Sequence, residues 1–151
     1  GLANLRELEI QFNSTLQRDI QHAILFIDLD GFKQVNDSLG HNAGDQVLIE
    51  TSQRLKQCLQ DNGVVSRLGG DEFVIYVNNY NSKSEIEKIS QAIIKSISQP
   101  FLINNKQALI SASIGISLSN DDSIQLEKLI NIADKAMYKA KKLGKNNYQF
   151  S

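Results

Sequence analysis

Arg67-Leu68-Gly69-Gly70-Asp71-Glu72-Phe73-Val74-Ile75-Tyr76-Val77 is the stretch on which the reading of this chain turns. It reads as a short strand, a two-glycine turn and a second strand that is apolar throughout. Glycine takes positive φ without a Cβ clash, so Gly69-Gly70 predicts a tight hairpin turn. Asp71 and Glu72 follow at the mouth of a hydrophobic sheet, where acidic side chains add nothing to a core. Two readings stand on these residues alone: a solubilising hairpin tip, or the acidic edge of a site.

Upstream, Ala23-Ile24-Leu25-Phe26-Ile27 is a continuous apolar run of strand length, as expected of a central strand covered on both faces. It exits into Asp28-Leu29-Asp30-Gly31, an abrupt carboxylate pair. Residues 32–39 read as a short helix closed by Gly40, and Asp45 reads as the cap of a second helix carrying Val47, Leu48, Leu55 and Leu59. Before the strand, Leu5, Leu8, Phe12, Leu16 and Ile20 recur at near-helical spacing within residues 4–21.

Downstream, residues 78–84 form a polar loop and a helix over 85–98 is ended by Pro100. Phe101-Leu102-Ile103, a turn at Asn104-Asn105 and residues 108–118 predict a second hairpin. A last helix, starting near Ser123 or Ile124, stripes Leu126, Leu129, Ile130, Ala133, Met137 and Ala140 along one face and stops at Gly144. Tyr148-Gln149-Phe150 reads as a closing edge strand. Hairpins mixed with crossover helices imply an α+β fold: a mostly antiparallel central sheet with a ferredoxin-like, palm-type core flanked by helices.

The 151 residues suit a single domain. With 41% hydrophobic and 22% charged residues, the composition is that of an ordinary globular protein. A net charge of −1 argues against a general nucleic-acid binder, so any basic site must be local. The single cysteine, Cys58, cannot make an internal disulfide and fits a reducing, cytoplasmic setting. No apolar run reaches membrane-spanning length, so no membrane contact is expected from this stretch. Gly1 in place of methionine reads as a piece cut from a longer protein.

The chemistry follows from where these elements bring their carboxylates. If the first strand and the second hairpin arm run antiparallel, Asp28 and Asp71 reach the same edge of the sheet. Carboxylates that close repel unless a cation lies between them, and Mg²⁺ (or Mn²⁺), which commonly takes one or two carboxylates and completes its shell with substrate phosphates, is the natural guest. That points to a nucleotide; the plain alternative for Asp28 is a strand-end solubiliser. Backbone N–H groups at Phe32 and the charge of Lys33 suit phosphate. Asn36 and Asp45 suit guanine, whose N1–H and amino group are adjacent donors that a carboxylate accepts together; equally, both residues fit helix caps. His41 alone fits packing or capping, and His22 reads as structural. Lys135, Lys139, Lys141, Lys142 and Lys145 crowd the last helix as a solvated face, yet Lys141 and Lys145 are four apart and could clamp phosphates together.

Gathered, these residues resemble the GGDEF family of bacterial diguanylate cyclases over essentially the whole chain. Gly69-Gly70-Asp71-Glu72-Phe73 carries the signature. It is joined in the family's order by Phe26-Ile27-Asp28-Leu29-Asp30-Gly31-Phe32-Lys33, by Asn36-Asp37-Ser38-Leu39-Gly40-His41-Asn42-Ala43-Gly44-Asp45 and by Ala133-Asp134-Lys135-Ala136-Met137-Tyr138-Lys139-Ala140-Lys141. The resemblance implies condensation of two GTP into cyclic di-GMP with loss of two pyrophosphates, at a two-fold interface between two such domains. It implies Mg²⁺ on Asp28, the Leu29 carbonyl and Asp71, with Asp71 also the candidate base for the 3′-hydroxyl. Asn36, His41 and Asp45 would contact substrate, Lys33 would stabilise the transition state, and Lys141 and Lys145 would hold phosphates. Glu72 would support the metal end of the hairpin.

The chain departs from the family pattern in four places. Where an inhibitory product site carries Arg-x-x-Asp, this sequence reads Gln60-Asp61-Asn62-Gly63, so product feedback there is expected to be absent. Lys145 stands for the usual arginine, keeping charge but losing the bidentate fork. Leu5 replaces a common arginine, and Gly1-Leu2-Ala3-Asn4 resembles a motif entered midway. Gly144-Lys145-Asn146-Asn147-Tyr148-Gln149-Phe150 resembles GGDEF domains that continue into an EAL phosphodiesterase domain, a possible partner in cis. A rival reading is therefore a catalytically silent GTP-binding domain that regulates such a phosphodiesterase. A purely structural dimerisation domain would need every polar match to be accidental.

Overall fold

The computed structural model describes residues 4–15, 21–121 and 123–151. Its elements are α1 (Leu5–Thr15), β1 (His22–Asp30), α2 (Phe32–Leu39), α3 (His41–Leu59), β2 (Gly63–Gly69), β3 (Glu72–Asn78), α4 (Lys83–Ile97), β4 (Phe101–Ile103), β5 (Lys106–Ala108), β6 (Ser111–Ser119), α5 (Leu126–Lys142) and β7 (Asn147–Phe150). Five strands make one sheet in the order β2-β3-β1-β6-β7. All neighbours are antiparallel except β6 and β7, which run parallel. β1, the apolar run, lies at the centre, and β1-helices-β2-β3-α4-β6 is the expected ferredoxin-like unit with β7 added at its edge.

Period-two alternation sends the side chains of β1 to two separate cores. Leu25, Ile27 and Leu29 join Phe73, Ile75, Ile114 and Ile116 under α2, α3 and α4. Ile24 and Phe26 join Val74 and Tyr76 beneath α1 and α5. A fully buried Ile27 or Phe73 contributes roughly 1.5–3 kcal/mol by leaving water. On the second face α5 lies very close to β6, because a Cβ at Gly115 would collide with the Ala133 carbonyl. That close seat carries the end of α5 towards the carboxylate edge of the sheet.

Several boundaries differ from the sequence reading, each for a tertiary reason. β1 continues through Asp28 to Asp30 because β6 pairs with it to the end, Asp30 lying opposite Ser111. The hairpin turn is centred on Gly70 and Asp71. Gly69 still pairs with Glu72, after a register shift between Arg67 and Gly69. Gly70, at φ +52°, takes the left-handed conformation that the turn requires. The second arm of the expected 101–118 hairpin is two strands: β5 pairs with β4, and the chain then leaves at Leu109-Ile110 so that β6 can enter the main sheet.

Asp45 caps no helix, because α3 begins at His41 with Gly40 as its cap residue. α4 begins two residues earlier than the predicted position 85, and α5 begins at Leu126. In α1, Leu8 and Phe12 are buried while Leu5 is exposed; Leu16 and Ile20 lie outside the described residues.

Candidate active site

β1 and β3 are antiparallel, and Asp28 stands opposite Glu72. The Leu29 N–H donates to the Asp71 carbonyl at 3.2 Å, which pins the Gly70-Asp71 turn against the end of β1. Two carboxylates, Asp28 on β1 and Asp71 in the β2–β3 turn, therefore meet at one edge, as the antiparallel arrangement requires. The electrostatics records the crowding. Burial, then the Asp71 carboxylate, push the Asp28 carboxyl above its ordinary range, with Lys141 acting against them. Glu72 is raised by burial first, then by Asp28, Asp134 and Asp71.

The last turn of α5 answers that negative charge. Lys141 Nζ lies 3.2 Å from Asp28 Oδ2 and 3.4 Å from Asp30 Oδ1. Burial alone would lower the lysine's pKa, but the carboxylates of Asp28 and Asp30 outweigh it and raise it. Lys145 is exposed in the turn that follows, whose geometry is a Schellman motif: its N–H donates to the Ala140 carbonyl at 3.1 Å, and that of Gly144 to Lys141 at 3.3 Å.

The second group of predicted residues lies on α2 and α3. Asn36 is half-buried on α2, and its side chain crosses α3 at Gly44, where a Cβ would collide with Asn36 Oδ1. Gly44 is therefore required for Asn36 to reach the neighbourhood of Asp45. Asp45 and His41 are exposed, one helical turn apart on α3, and Lys33 is exposed in the first turn of α2, three residues before Asn36. Neither Asn36 nor Asp45 is a helix cap, which removes the plainer explanation of both. Phe32 puts its ring into the core, so only its backbone can face a ligand; no side chain caps α2, whose cap residue is Gly31. The two groups are joined at Gly31, where β1 passes directly into α2.

Asp30 is the residue whose part the sequence reading missed. It belongs to the Asp28-Leu29-Asp30-Gly31 run, is 6% exposed and accepts from Ser111, Ser113, Lys141 and the Asn146 N–H. Strand alternation was the available signal, because Asp28 and Asp30 must share a face. His22, read as structural, is fully buried at the far end of β1 with Nδ1 2.7 Å from the Tyr76 hydroxyl.

Among the described residues, no cluster of three or more His, Cys, Asp or Glu forms a ready metal cage. Two mutually repelling carboxylates beside the Leu29 peptide are instead the smaller donor set that suits Mg²⁺, which keeps water and substrate oxygens in its shell. At the departed product site, a Cβ on Gly63 would collide with the Tyr76 carbonyl, so an aspartate could enter there only if the backbone moved.

A family model described as "Diguanylate cyclase, GGDEF domain" matches residues 1–147. The bifunctional diguanylate cyclase/cyclic di-GMP phosphodiesterase MucR of Pseudomonas aeruginosa is 41% identical over 143 residues, 95% of this chain and 21% of MucR. The cyclic di-GMP phosphodiesterase NbdA of the same organism is 38% identical over 128 residues, 85% of this chain and 16% of NbdA. The chain thus spans only a small part of the length of these relatives. Among solved structures, a truncated TpbB (or YfiN) from P. aeruginosa comprising only the GGDEF domain superposes with a TM-score of 0.92 at 34% identity, covering 99% of this chain and 90% of that one. Match, identity and superposition agree with the geometry of the acidic hairpin, and the chain belongs to the GGDEF family of diguanylate cyclase domains.

Proposed function

We propose that this domain is a Mg²⁺-dependent diguanylate cyclase that condenses two GTP into cyclic di-GMP and two pyrophosphates. The observation that carries the reading is the intact turn: Asp71 is held beside Asp28 by the Leu29 N–H, with Lys141 within ion-pair distance of Asp28. Asp28, Asp71 and the Leu29 carbonyl are the groups that would hold the metal. When bound, Mg²⁺ would lower the pKa of the attacking 3′-hydroxyl and polarise the α-phosphate.

The chain's own residues supply the rest. Asp71 is the candidate acceptor of the 3′-hydroxyl proton, with Glu72 supporting the hairpin. Lys33 and the backbone at Phe32 bind phosphate, and Lys141 and Lys145 absorb the charge of the departing pyrophosphate. Asp45 and Asn36 take the guanine edge, and His41 lies beside them on the substrate. One domain presents one nucleotide, so both phosphodiester bonds form when two domains face each other about a two-fold axis, at least transiently.

The test is incubation of the domain, fused to a strong coiled-coil dimer, with GTP and Mg²⁺, the product being identified by mass. Cyclic di-GMP that is lost in Asp71→Asn supports the cyclase. The phosphodiesterase relative NbdA favours a second reading, a silent GTP-binding regulator of an attached EAL domain. Saturable GTP binding with no product from the forced dimer would select it.

A further inference from the structure

We propose that Asp30 is the positioning residue of the phosphate clamp: it holds Lys141 and the turn carrying Lys145 where they meet the nucleotide. The inference rests on the reading above that these lysines bind GTP phosphates. Ser111 Oγ donates to Asp30 Oδ2 at 2.7 Å, and Ser113 Oγ donates to Oδ1 at 2.8 Å and to Oδ2 at 3.0 Å. Lys141 Nζ reaches Oδ1 at 3.4 Å, and the Asn146 N–H reaches Oδ2 at 3.2 Å. One buried carboxylate thus gathers β6, the last turn of α5 and the turn before β7.

That turn needs holding. Lys145 and Asn146 are successive non-glycine residues in the left-handed region, at φ +65° and +51°. Such a conformation persists where its surroundings over-determine it. The Schellman bonds fix the turn from the α5 side, the Asn147 amide binds the Ala140 and Lys145 carbonyls at 2.9 Å each, and Asp30 fixes it from the sheet.

Asp30 also gives Lys141 a second anion. Lys141 is shared between Asp28 and Asp30, and Asp28 is the carboxylate assigned above to the metal. Asp30, with its oxygens already engaged by serine hydroxyls and a backbone N–H, remains the fixed partner that keeps the lysine at the site. Stability alone would not favour such a group, because a buried ionic cluster is often matched or bettered by apolar packing.

The experiment compares wild type, Asp30→Asn, Lys141→Met and the double variant for GTP and GMP affinity in Mg²⁺, with amide hydrogen exchange of the turn at 143–147 read in parallel. Asp30→Asn is expected to weaken GTP about tenfold, the effect of one charge-assisted contact, while moving GMP by less than about twofold. In the Lys141→Met background Asp30→Asn should cost less than in wild type, leaving only the part that acts through Lys145, and exchange in the turn should rise at least about tenfold. Equal losses for GTP and GMP, or effects that multiply, would reduce Asp30 to a structural residue and overturn the proposal. If wild type binds neither nucleotide, the phosphate reading itself fails; the exchange still decides the tether, and an unchanged turn in Asp30→Asn refutes it. Ser113→Ala, which removes one donor and keeps the carboxylate, should shift GTP affinity and exchange in the same direction by less, covering the case in which Asp30→Asn folds poorly.

Discussion

At one end of the β1–β3 ladder Asp28 stands opposite Glu72, with Asp71 beside them; at the other, His22 stands opposite Asn78. At the His22 end, the Tyr76 hydroxyl lies 2.7 Å from both His22 Nδ1 and the Thr15 hydroxyl, and Phe12 packs against both rings. These groups are buried and mutually satisfied, and they fasten α1 to the sheet. The acidic end has the same backbone pairing and the opposite chemistry, because burial and like charge both raise Asp28 and Glu72 while one lysine opposes them. The same two strands are thus optimised for packing at one end and carry stored repulsion at the other. Repulsion of that kind is relieved by a cation, and that is why the second end is the one proposed above to hold a metal.

That contrast can be broken most severely at Asp28. Asp28→Asn should lower cyclase turnover of the dimer-fused domain at least about 100-fold, or roughly 2.7 kcal/mol of transition-state stabilisation. The far end of the same strand should behave in reverse. Tyr76→Phe removes the hydroxyl that Thr15 and His22 both address, and denaturant unfolding should show a loss of about 2 kcal/mol with turnover retained. A loss of activity at unchanged stability there would erase the distinction between the two ends.

A smaller effect, of opposite sign, sharpens it. Without divalent metal, Asp71→Asn should stabilise the fold by about 1 kcal/mol, because a neighbour of Asp28 and Glu72 loses its charge. The pH dependence follows from the same shifts. Carboxyls raised in the folded state hold protons more tightly than in the unfolded chain. The metal-free domain is therefore free of this penalty below the ordinary carboxylate range and loses stability as pH rises through the raised values. Thermal melts across that window should show the slope, and Asp71→Asn should flatten it. The smallest effect is at the clamp. Lys145→Arg restores a bidentate fork and should lower the KM for GTP about threefold, with kcat little changed.

Much of this molecule was legible in one dimension. The apolar run at 23–27, the hairpin around Gly70 and the stripe of α5 are local patterns whose periods name their elements directly. The motif residues Asp28, Asn36, Asp45, Asp71 and Lys141 were likewise recognisable by type and order. Where local pattern misled, a distant partner had intervened. Asp45 has a cap's composition but lies inside α3, and residues 108–118 alternate like one strand but are divided because β6 belongs to β1.

The sequence by itself therefore determined most of the elements, the family and the candidate residues for the proposed site, since propensity, periodicity and motif are properties of neighbouring residues. Only the tertiary structure decided that Lys141 reaches back 111 positions to Asp30, that Asp28 is matched with Glu72, and that the turn holding Lys145 hangs from a buried carboxylate. Those pairings depend on how closely α5 can lie against β6 and on the register of two ladders. Both are set by packing across the whole sheet, which no local window of sequence contains.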